Sequence, residues 1–285
     1  GRMPLGERNS RLRPDTTPAD TEGPMPFDRF MELCLAHPKY GYYITRDPFG
    51  ADGDFVTAPE ISQMFGELIG LWAAHIWSSM GRPEIVQLVE LGPGRGTLMA
   101  DALRACRVAP DFLAAVEVTM VETSPVLRQR QQEALADCGV PVSWALGLNE
   151  VPRGPLLVIA NESFDALPVR HFVRAQEGWC EKLIGNGADG RFYAGMSGIP
   201  EPLIKGEAPL GAILEIGAIG HQYMSELARK IADFGGAALV IDYGHTQTSF
   251  GDTVQALWRH QPISPLEAPG ECDITAHVDF ASLTR

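Results

Sequence analysis

The amino-acid sequence predicts an α/β fold: a doubly wound parallel sheet with an N-terminal helical extension and an inserted α+β cap. From residue 85 onwards, short apolar segments alternate with helical segments, which is the pattern of parallel strands covered by helices on both faces. Before that point, apolar residues recur mainly at helical spacing. The last two predicted strands are separated by about seventy residues, too many for an ordinary crossover, so we expect an insertion between them.

The N-terminal part is predicted to contain a tail and two helices. Residues 1–24 are polar and rich in Pro, Asp, Thr and Arg, a composition typical of a flexible tail. The helical extension spans 25–83, and its first helix ends near Pro38. The second helix begins near Thr57, with Pro59 in its first turn. Its recurring apolar residues predict a face that packs on a core: Ile61, Met64, Phe65, Leu68, Ile69 and Trp72.

The main domain is predicted to span residues 84–285. Its strands are expected at the short apolar segments 85–91, 116–121, 142–145, 156–160 and 237–241. Its helices are expected at 97–107, 125–135 and 221–234. The inserted cap is predicted at about 169–215, where strand-like segments accompany a Gly/Pro-rich stretch.

Composition and charge argue against several classes of protein. The net charge is -13 and the pI about 5.0, whereas a general nucleic-acid binder carries a basic excess. No apolar run is long enough to span a membrane. The 5 cysteines are scattered without a C-x-x-C pair, which favours a reducing compartment over disulfides or zinc. No three of the 7 histidines have ligand-like spacing, so no metal site is expected.

The segment Glu90-Leu91-Gly92-Pro93-Gly94-Arg95-Gly96 joins a predicted strand to a predicted helix. Glycines in such a turn let the backbone approach a ligand, and the helix N-terminus offers unpaired N–H groups. The glycine spacing is G-x-G-x-G, whereas a dinucleotide site has G-x-G-x-x-G. Glu122 ends the next predicted strand, where a carboxylate can accept hydrogen bonds from both ribose hydroxyls.

Together these features resemble the class I S-adenosylmethionine-dependent methyltransferases. The resemblance implies that S-adenosyl-L-methionine is the cofactor and that Glu90 faces its cationic methionine end. The residues predicted to bind it are Glu90, Gly92, Pro93, Gly94, Gly96 and Glu122. A tight turn without a ligand and a nicotinamide-binding turn are the alternatives.

Further motifs, in order along the chain, point to one family. They are HPKYGYY at 37–43, GDFVT at 53–57 with PEIS at 59–62, NESFDALP at 161–168, IDYGH at 241–245 and DITAHVDF at 273–280. With the glycine loop, they resemble the MidA-like family of S-adenosylmethionine-dependent methyltransferases. The resemblance implies a Rossmann-like class I fold and methyl transfer to an exposed arginine of a protein substrate, such as a respiratory complex I subunit. It implies the cytoplasm for a bacterial member and the mitochondrial matrix as the alternative.

Asn161 and Glu162 directly follow the predicted strand 156–160, at the edge where open α/β sheets bind ligands. An arginine acceptor is cationic, and a carboxylate can orient its guanidinium and accept the released proton. Glu162 and Asp165 are the candidate carboxylates, and Asn161 can accept from the nucleophilic nitrogen or hold the cofactor. Capping of the following turn is the alternative role of Asn161 and Asp165. His245, after the next strand, can relay a proton or make only a structural hydrogen bond.

The loop before the second helix supplies two more candidates. Asp54 and Thr57 precede a helix N-terminus and are predicted to contact the cofactor. The alternative is an N-cap with Phe55 in a core. Three other functions stay open: a small-molecule methyltransferase, a non-catalytic complex I assembly module that retains the fold, and a nicotinamide oxidoreductase.

Overall fold

The structure, a computed structural model, describes residues 23–45, 57–258 and 260–285. The described helices are α1 (Phe27–Ala36), α2 (Tyr42–Thr45), α3 (Ala58–Ile61), α4 (Gln63–Ser79), α5 (Thr97–Ala105), α6 (Pro110–Ala115), α7 (Pro125–Ala134), α8 (Ala218–Phe234) and α9 (Phe280–Leu283). The described strands are β1 (Met25–Pro26), β2 (Val86–Leu91), β3 (Val116–Val121), β4 (Val142–Ala145), β5 (Leu156–Asn161), β6 (Arg170–Arg174), β7 (Trp179–Asn186), β8 (Phe192–Met196), β9 (Ile213–Ile216), β10 (Gly236–Ile241), β11 (Gly244–His245), β12 (Gln255–Trp258), β13 (Gln261–Ile263), β14 (Asp273–Thr275) and β15 (Val278–Asp279).

The chain divides into two compact units. The sheet unit comprises Gln222–Tyr243 and the described part of Arg46–Phe164. The cap unit comprises Asp165–His221, Gly244–Arg285 and the described part of Gly1–Thr45. This division groups 23–45 with the inserted segment, whereas the sequence predicts boundaries at 24, 83 and about 169 and 215. The predicted domain boundaries stay a prediction.

The sheet unit is built on five parallel strands in the order β10-β5-β2-β3-β4. At its centre, Leu88 of β2 lies between Leu157 of β5 and Val118 of β3. Every residue of β2 and β5 is buried, which explains why these strands are nearly continuous apolar runs instead of alternating ones. The predicted α/β fold with a parallel sheet is confirmed, and all five predicted strands form.

The predicted core face of the second helix is confirmed only in part, since Ile69 is buried in the core and Phe65 and Trp72 pack against it. The helix is broken at Ser62 into α3 and α4, and Ile61, Met64 and Leu68 are exposed. Instead, α4 packs on α5 through a face that contains two glycines. A Cβ on Gly70 would lie 2.4 Å from the Ala102 carbonyl oxygen, so glycine is required for this close approach. Because α4 is apolar around most of its circumference, periodicity alone could not select the buried face.

The cap unit contains short antiparallel sheets. The largest has the order β1-β7-β6-β9, with β8 also paired to β7, and a three-stranded sheet has the order β13-β12-β14. Arg170 of β6 and Glu181 of β7 form a two-point ion pair, Nε–Oε1 2.7 Å and Nη2–Oε2 2.9 Å. The strands from β9 to β15, except β10, are not among those predicted from the sequence. Among the described residues, no helix has the length and apolar character needed to cross a membrane.

Candidate active site

The glycine loop connects β2 to α5 through left-handed backbone. Gly92, Gly94 and Gly96 have φ values of 60°, 54° and 84°, and Gly96 is the N-cap of α5. L-residues rarely adopt these angles, so the three predicted loop glycines are required by the backbone. A Cβ on Gly92 would also lie 2.9 Å from Cβ of Ser163, which follows β5. The loop thus keeps its backbone uncovered and close to the end of the neighbouring strand.

A cavity of about 400 Å³, counting its open mouth, lies beside this loop. It is lined by Thr57, Pro59, Glu60, Glu90, Gly92, Pro93, Gly94, Arg95, Thr97, Leu98, Asn161 and Glu162. Six predicted cofactor residues and the first predicted catalytic residue are therefore brought together: Thr57, Glu90, Gly92, Pro93, Gly94, Asn161 and Glu162. Their roles stay a prediction.

Glu90 is the most deeply buried carboxylate of the cavity. It lies on β2, two residues before Gly92, and is only 3% exposed. Its Oε2 atom has no hydrogen-bond partner within the described chain. Burial raises the pKa of Glu90 to about 8, because desolvation disfavours the charged form. A cationic ligand in the cavity would offset that desolvation.

Asn161 and Glu162 lie where β5 ends. Asn161 pairs with Ile241 of β10, and the Glu162 amide donates to the Ile241 carbonyl at 2.8 Å. Glu162 has a φ of 47°, in the left-handed region that a residue with a Cβ adopts at a cost. Such strain at the end of a central strand is typical of functional positions.

Burial raises the pKa of the Glu162 carboxyl, and the nearby Asp242 carboxylate adds to that rise. Hydrogen bonds from the Ala58 amide and the Asn161 side chain act in the opposite direction. The Asn161 Oδ1 atom is buried and has no partner in the described part of the chain. Glu162 is therefore oriented by two donors, while Asn161 offers a free acceptor to the cavity.

Glu122 directly follows β3 and does not line the cavity. Its Oε1 accepts from the Ser124 amide at 2.7 Å, and its Oε2 accepts from Gln131 Nε2 at 3.2 Å. Burial raises the pKa of Glu122, while these two hydrogen bonds lower it. A carboxylate accepts about four hydrogen bonds, so it keeps capacity for the predicted ribose contacts.

Three polar residues of the cavity were missed as site residues from the sequence: Glu60, Arg95 and Thr97. Thr97 Oγ1 donates to Glu60 Oε1 at 2.5 Å, and Arg95 Nη1 lies 3.8 Å from Glu60 Oε2. Arg95 belongs to the glycine loop and Glu60 lies in the first turn of α3, so both are in segments that the sequence analysis had already identified. The contact of Glu60 with Arg95 and Thr97 depends on how α3 approaches α5, and residue spacing in the sequence does not predict that.

The other predicted site residues are Asp54, Asp165 and His245. Asp54 is outside the described residues. Asp165 and His245 belong to the cap unit, where the Asp165 carbonyl accepts from the Ala276 amide at 2.8 Å. His245 Nδ1 is hydrogen-bonded to the Gln247 carbonyl oxygen at 2.8 Å. The His245 contact is the structural hydrogen bond offered above as its alternative, and the catalytic roles of Asp165 and His245 stay a prediction.

The cap unit also contains a cluster of possible metal ligands: His171, Glu215 and Asp252, whose ligand atoms all lie within 4.8 Å of one another. The Glu215 carboxylate already accepts from His171 Nε2 at 2.9 Å and from the Thr253 amide and hydroxyl at 2.9 and 2.5 Å. These hydrogen bonds account for the contact between His171 and Glu215 without an ion. That the protein has no metal site stays a prediction.

Comparison with known proteins agrees with this geometry. The sequence model of the family described as "Putative S-adenosyl-L-methionine-dependent methyltransferase" matches residues 68–285. The chain belongs to this family. The resemblance drawn from the motifs is confirmed, and S-adenosylmethionine is the cofactor of this methyltransferase.

Named relatives and solved structures extend the match. The methyltransferase is 38% identical to "Protein arginine methyltransferase NDUFAF7, mitochondrial" of Danio rerio, over 92% of this chain and 68% of that protein. It is 36% identical to the Homo sapiens protein of that name, over 92% and 65%. It therefore spans about two thirds of these relatives' length. A Burkholderia thailandensis protein crystallised with S-adenosyl-homocysteine matches with a TM-score of 0.79 at 28% identity, over 93% of this chain and 72% of that one.

The residues of the cavity fit the cofactor of this methyltransferase. S-adenosylmethionine is cationic at its sulfonium and ammonium groups, and the cavity presents three carboxylates, those of Glu60, Glu90 and Glu162. Two buried acceptor atoms, Glu90 Oε2 and Asn161 Oδ1, have no hydrogen-bond partner among the described residues. Buried acceptors of this kind are costly in an empty site and are satisfied by a ligand with N–H donors and positive charge.

Proposed function

We propose that this methyltransferase modifies an arginine side chain of a protein. The observation that carries the proposal is the acidity of the cavity, whose described lining includes the glutamates Glu60, Glu90 and Glu162 beside one basic residue, Arg95. An acidic cavity favours a cationic acceptor. A guanidinium that enters it loses its hydration, and hydrogen bonds to carboxylates replace the interactions it had with water. The name of the relatives, protein arginine methyltransferase, supports the same acceptor.

In this proposal Glu162 acts on the acceptor. When bound, S-adenosylmethionine would supply the methyl group, whose bond to the sulfonium sulfur breaks so that S-adenosylhomocysteine is left. Glu162 holds the guanidinium by a charge-assisted hydrogen bond, which orients one nitrogen for attack. As that nitrogen forms its bond to carbon, it loses a proton, and Glu162 accepts it. The pKa of Glu162, raised by burial, makes the carboxylate a better base than an exposed glutamate.

Asn161 has a supporting role in the proposed reaction. Its free Oδ1 accepts a hydrogen bond from the acceptor nitrogen or from the cofactor. Its side-chain amide donates to Glu162, so the two residues share one orientation. Asp165 and His245 remain proposed as a second carboxylate and a proton relay.

The substrate and the compartment are proposed from the relatives. A respiratory complex I subunit with an exposed arginine is the proposed partner, because the family resemblance implies it. The named relatives are mitochondrial by name, which supports the mitochondrial matrix, while the cytoplasm is the compartment proposed for a bacterial chain. Both are reducing, and the five cysteines are free thiols.

A labelling experiment tests the proposal. The purified chain is incubated with methyl-labelled S-adenosylmethionine and isolated complex I core subunits, and the labelled residue is identified by mass spectrometry. We expect label on arginine. Glu162→Gln should slow the transfer by about 10²–10⁴-fold, the usual contribution of a general base, while S-adenosylhomocysteine affinity stays within about threefold.

Glu84→Gln is the matched control, since Glu84 is an exposed glutamate of the same unit, and it should transfer at the wild-type rate. Label on lysine or only on a small molecule would refute the arginine proposal. Loss of S-adenosylhomocysteine affinity in Glu162→Gln would instead assign Glu162 to the cofactor.

A further inference from the structure

Gln131 is a fully buried polar residue in the interior of α7, with 0% of its surface exposed. Its Nε2 donates to the Gly94 carbonyl at 2.7 Å and to Glu122 Oε2 at 3.2 Å. Its Oε1 accepts from Trp144 Nε1 at 2.9 Å. One side chain therefore joins the glycine loop, the carboxylate after β3 and the strand β4.

The orientation of this amide follows from its partners. The Trp144 indole can only donate, so it must face the Gln131 oxygen. The Gln131 nitrogen is then directed to Gly94 and Glu122, which both accept, and its two hydrogens are fully used. The reversed amide would set oxygen against oxygen at two contacts. Trp144 thus selects the arrangement in which Gln131 can hold the other two groups.

Gln131 also touches the loop through its own backbone. A Cβ on Gly96 would lie 3.3 Å from both the Cα and the Cγ of Gln131. Gly96 is the N-cap of α5, and Gly94 lies two residues before it. The loop is therefore held by Gln131 at two points, one by packing and one by a hydrogen bond.

We propose that Gln131 is a positioning residue for the cofactor, which fixes the Glu122 carboxylate and the glycine loop in the geometry that binds S-adenosylmethionine. The inference rests on the proposed cofactor roles of Glu122 and of the loop. Gln131 does not itself line the cavity, so it acts through these two groups. If the Glu122 carboxylate or the glycine loop were free to adopt other orientations, ordering it on binding would cost entropy and weaken the affinity for the cofactor.

Gln131→Glu tests the donor without changing the shape of the side chain. One carboxylate oxygen still accepts from Trp144, but the other faces the Gly94 carbonyl and the Glu122 carboxylate, all acceptors. Besides Gln131, the groups near Glu122 are the Ser124 amide and Arg128, whose Nε donates to the Glu122 carbonyl at 2.8 Å. A proton shared between residues 131 and 122 restores a donor, so low pH should partly rescue the variant.

The experiment measures the Kd of S-adenosylhomocysteine by calorimetry at pH 8.5 and pH 5.5 for the full chain. At pH 8.5 we expect Gln131→Glu to bind about 10–100-fold more weakly than wild type, the range for losing a hydrogen bond to a charged group. The ratio of variant to wild-type Kd should shrink at pH 5.5. Gln132→Glu is the matched control, since Gln132 is exposed on the same helix, and its ratio should stay near one at both pH values.

A merely structural role would lower the Tm but leave the ratio independent of pH, and that result would overturn the proposal. So would wild-type affinity of Gln131→Glu at pH 8.5. If Gln131→Glu does not fold, Gln131→Met decides, because it removes the donors without adding charge. Gln131→Met should bind about tenfold more weakly with a pH-independent ratio, and unchanged affinity would overturn the inference. Failure of the wild-type chain to bind S-adenosylhomocysteine would count against the cofactor site itself.

Discussion

At the scale of single residues, the sequence predicts where Glu90 lies, but only the structure shows how deeply its carboxylate is buried. Its place two residues before the first loop glycine predicts contact with the cationic end of the cofactor. The sequence does not show that Glu90 is 3% exposed or that its Oε2 lacks a partner within the described chain. Both depend on the complete covering of β2 by its neighbours. As a result, burial raises the pKa of this carboxyl to about 8.

That pKa predicts that cofactor binding releases a proton. Below about pH 8 the Glu90 carboxyl of the free enzyme is mostly protonated, whereas a cationic ligand favours the carboxylate. Affinity for S-adenosylmethionine should therefore increase between pH 6 and pH 8, by at most about tenfold per pH unit. Calorimetry at pH 6.5 in two buffers of different ionisation enthalpy measures the released protons.

The Glu90→Gln variant should abolish the release and bind about 10–100-fold more weakly at pH 8. Glu133→Gln, at an exposed position, is the control and should keep the wild-type release. No proton release by the wild type would contradict this account of Glu90.

At the scale of elements, the sequence predicted the sheet better than the helices. Strands β3 and β4 have the predicted ends, because each is a short apolar run bounded by polar or turn residues. The single helix expected from residue 57 is two helices, and only part of its predicted face is buried. The five-stranded sheet of the cap unit depends on contacts between distant segments, such as Met25 with Ile184, that local patterns do not encode.

The contact between α4 and α5 predicts the effect of one added methyl group. Gly70→Ala would place a Cβ 2.4 Å from the Ala102 carbonyl oxygen, so the helices must separate. We expect a loss of about 1–3 kcal/mol in the free energy of unfolding, despite alanine's higher helix propensity. Urea unfolding followed by circular dichroism measures it. Gly195→Ala, with nothing within 4 Å of its Cβ, should change stability little, and a stabilised Gly70→Ala would show that the close approach is wrong.

At the scale of the whole molecule, the sequence identified the family and most of the cavity's loop side. The glycine loop and the end of β5 were predictable, because parallel strands bring their carboxyl ends to one edge. Glu60 and Thr97 were not, because their contact depends on how two helices pack, and the contacts of Gln131 with the loop and Glu122 depend on helix packing as well. The sequence therefore predicts the family of this protein more completely than it predicts the residues of the site.

Ligand-linked stability tests the cofactor on the intact chain. S-adenosylhomocysteine at 100 times its Kd should stabilise the folded state by about 2.7 kcal/mol, since it binds only that state. For a chain of this size we expect a Tm increase of about 5–10 °C in a thermal scan. NADH at the same concentration should leave the Tm unchanged. Stabilisation by NADH without stabilisation by S-adenosylhomocysteine would support the nicotinamide oxidoreductase alternative instead.

The left-handed backbone at Glu162 sets stability and chemistry against each other. At a φ of 47° a glycine has no steric penalty, whereas glutamate carries a cost of about 1–2 kcal/mol. A laboratory selection for heat resistance alone would therefore enrich glycine at position 162 and discard the carboxylate. Keeping glutamate there is worthwhile only for a chain selected for what that carboxylate does, so a stabilised version of this protein should be engineered everywhere except at this position.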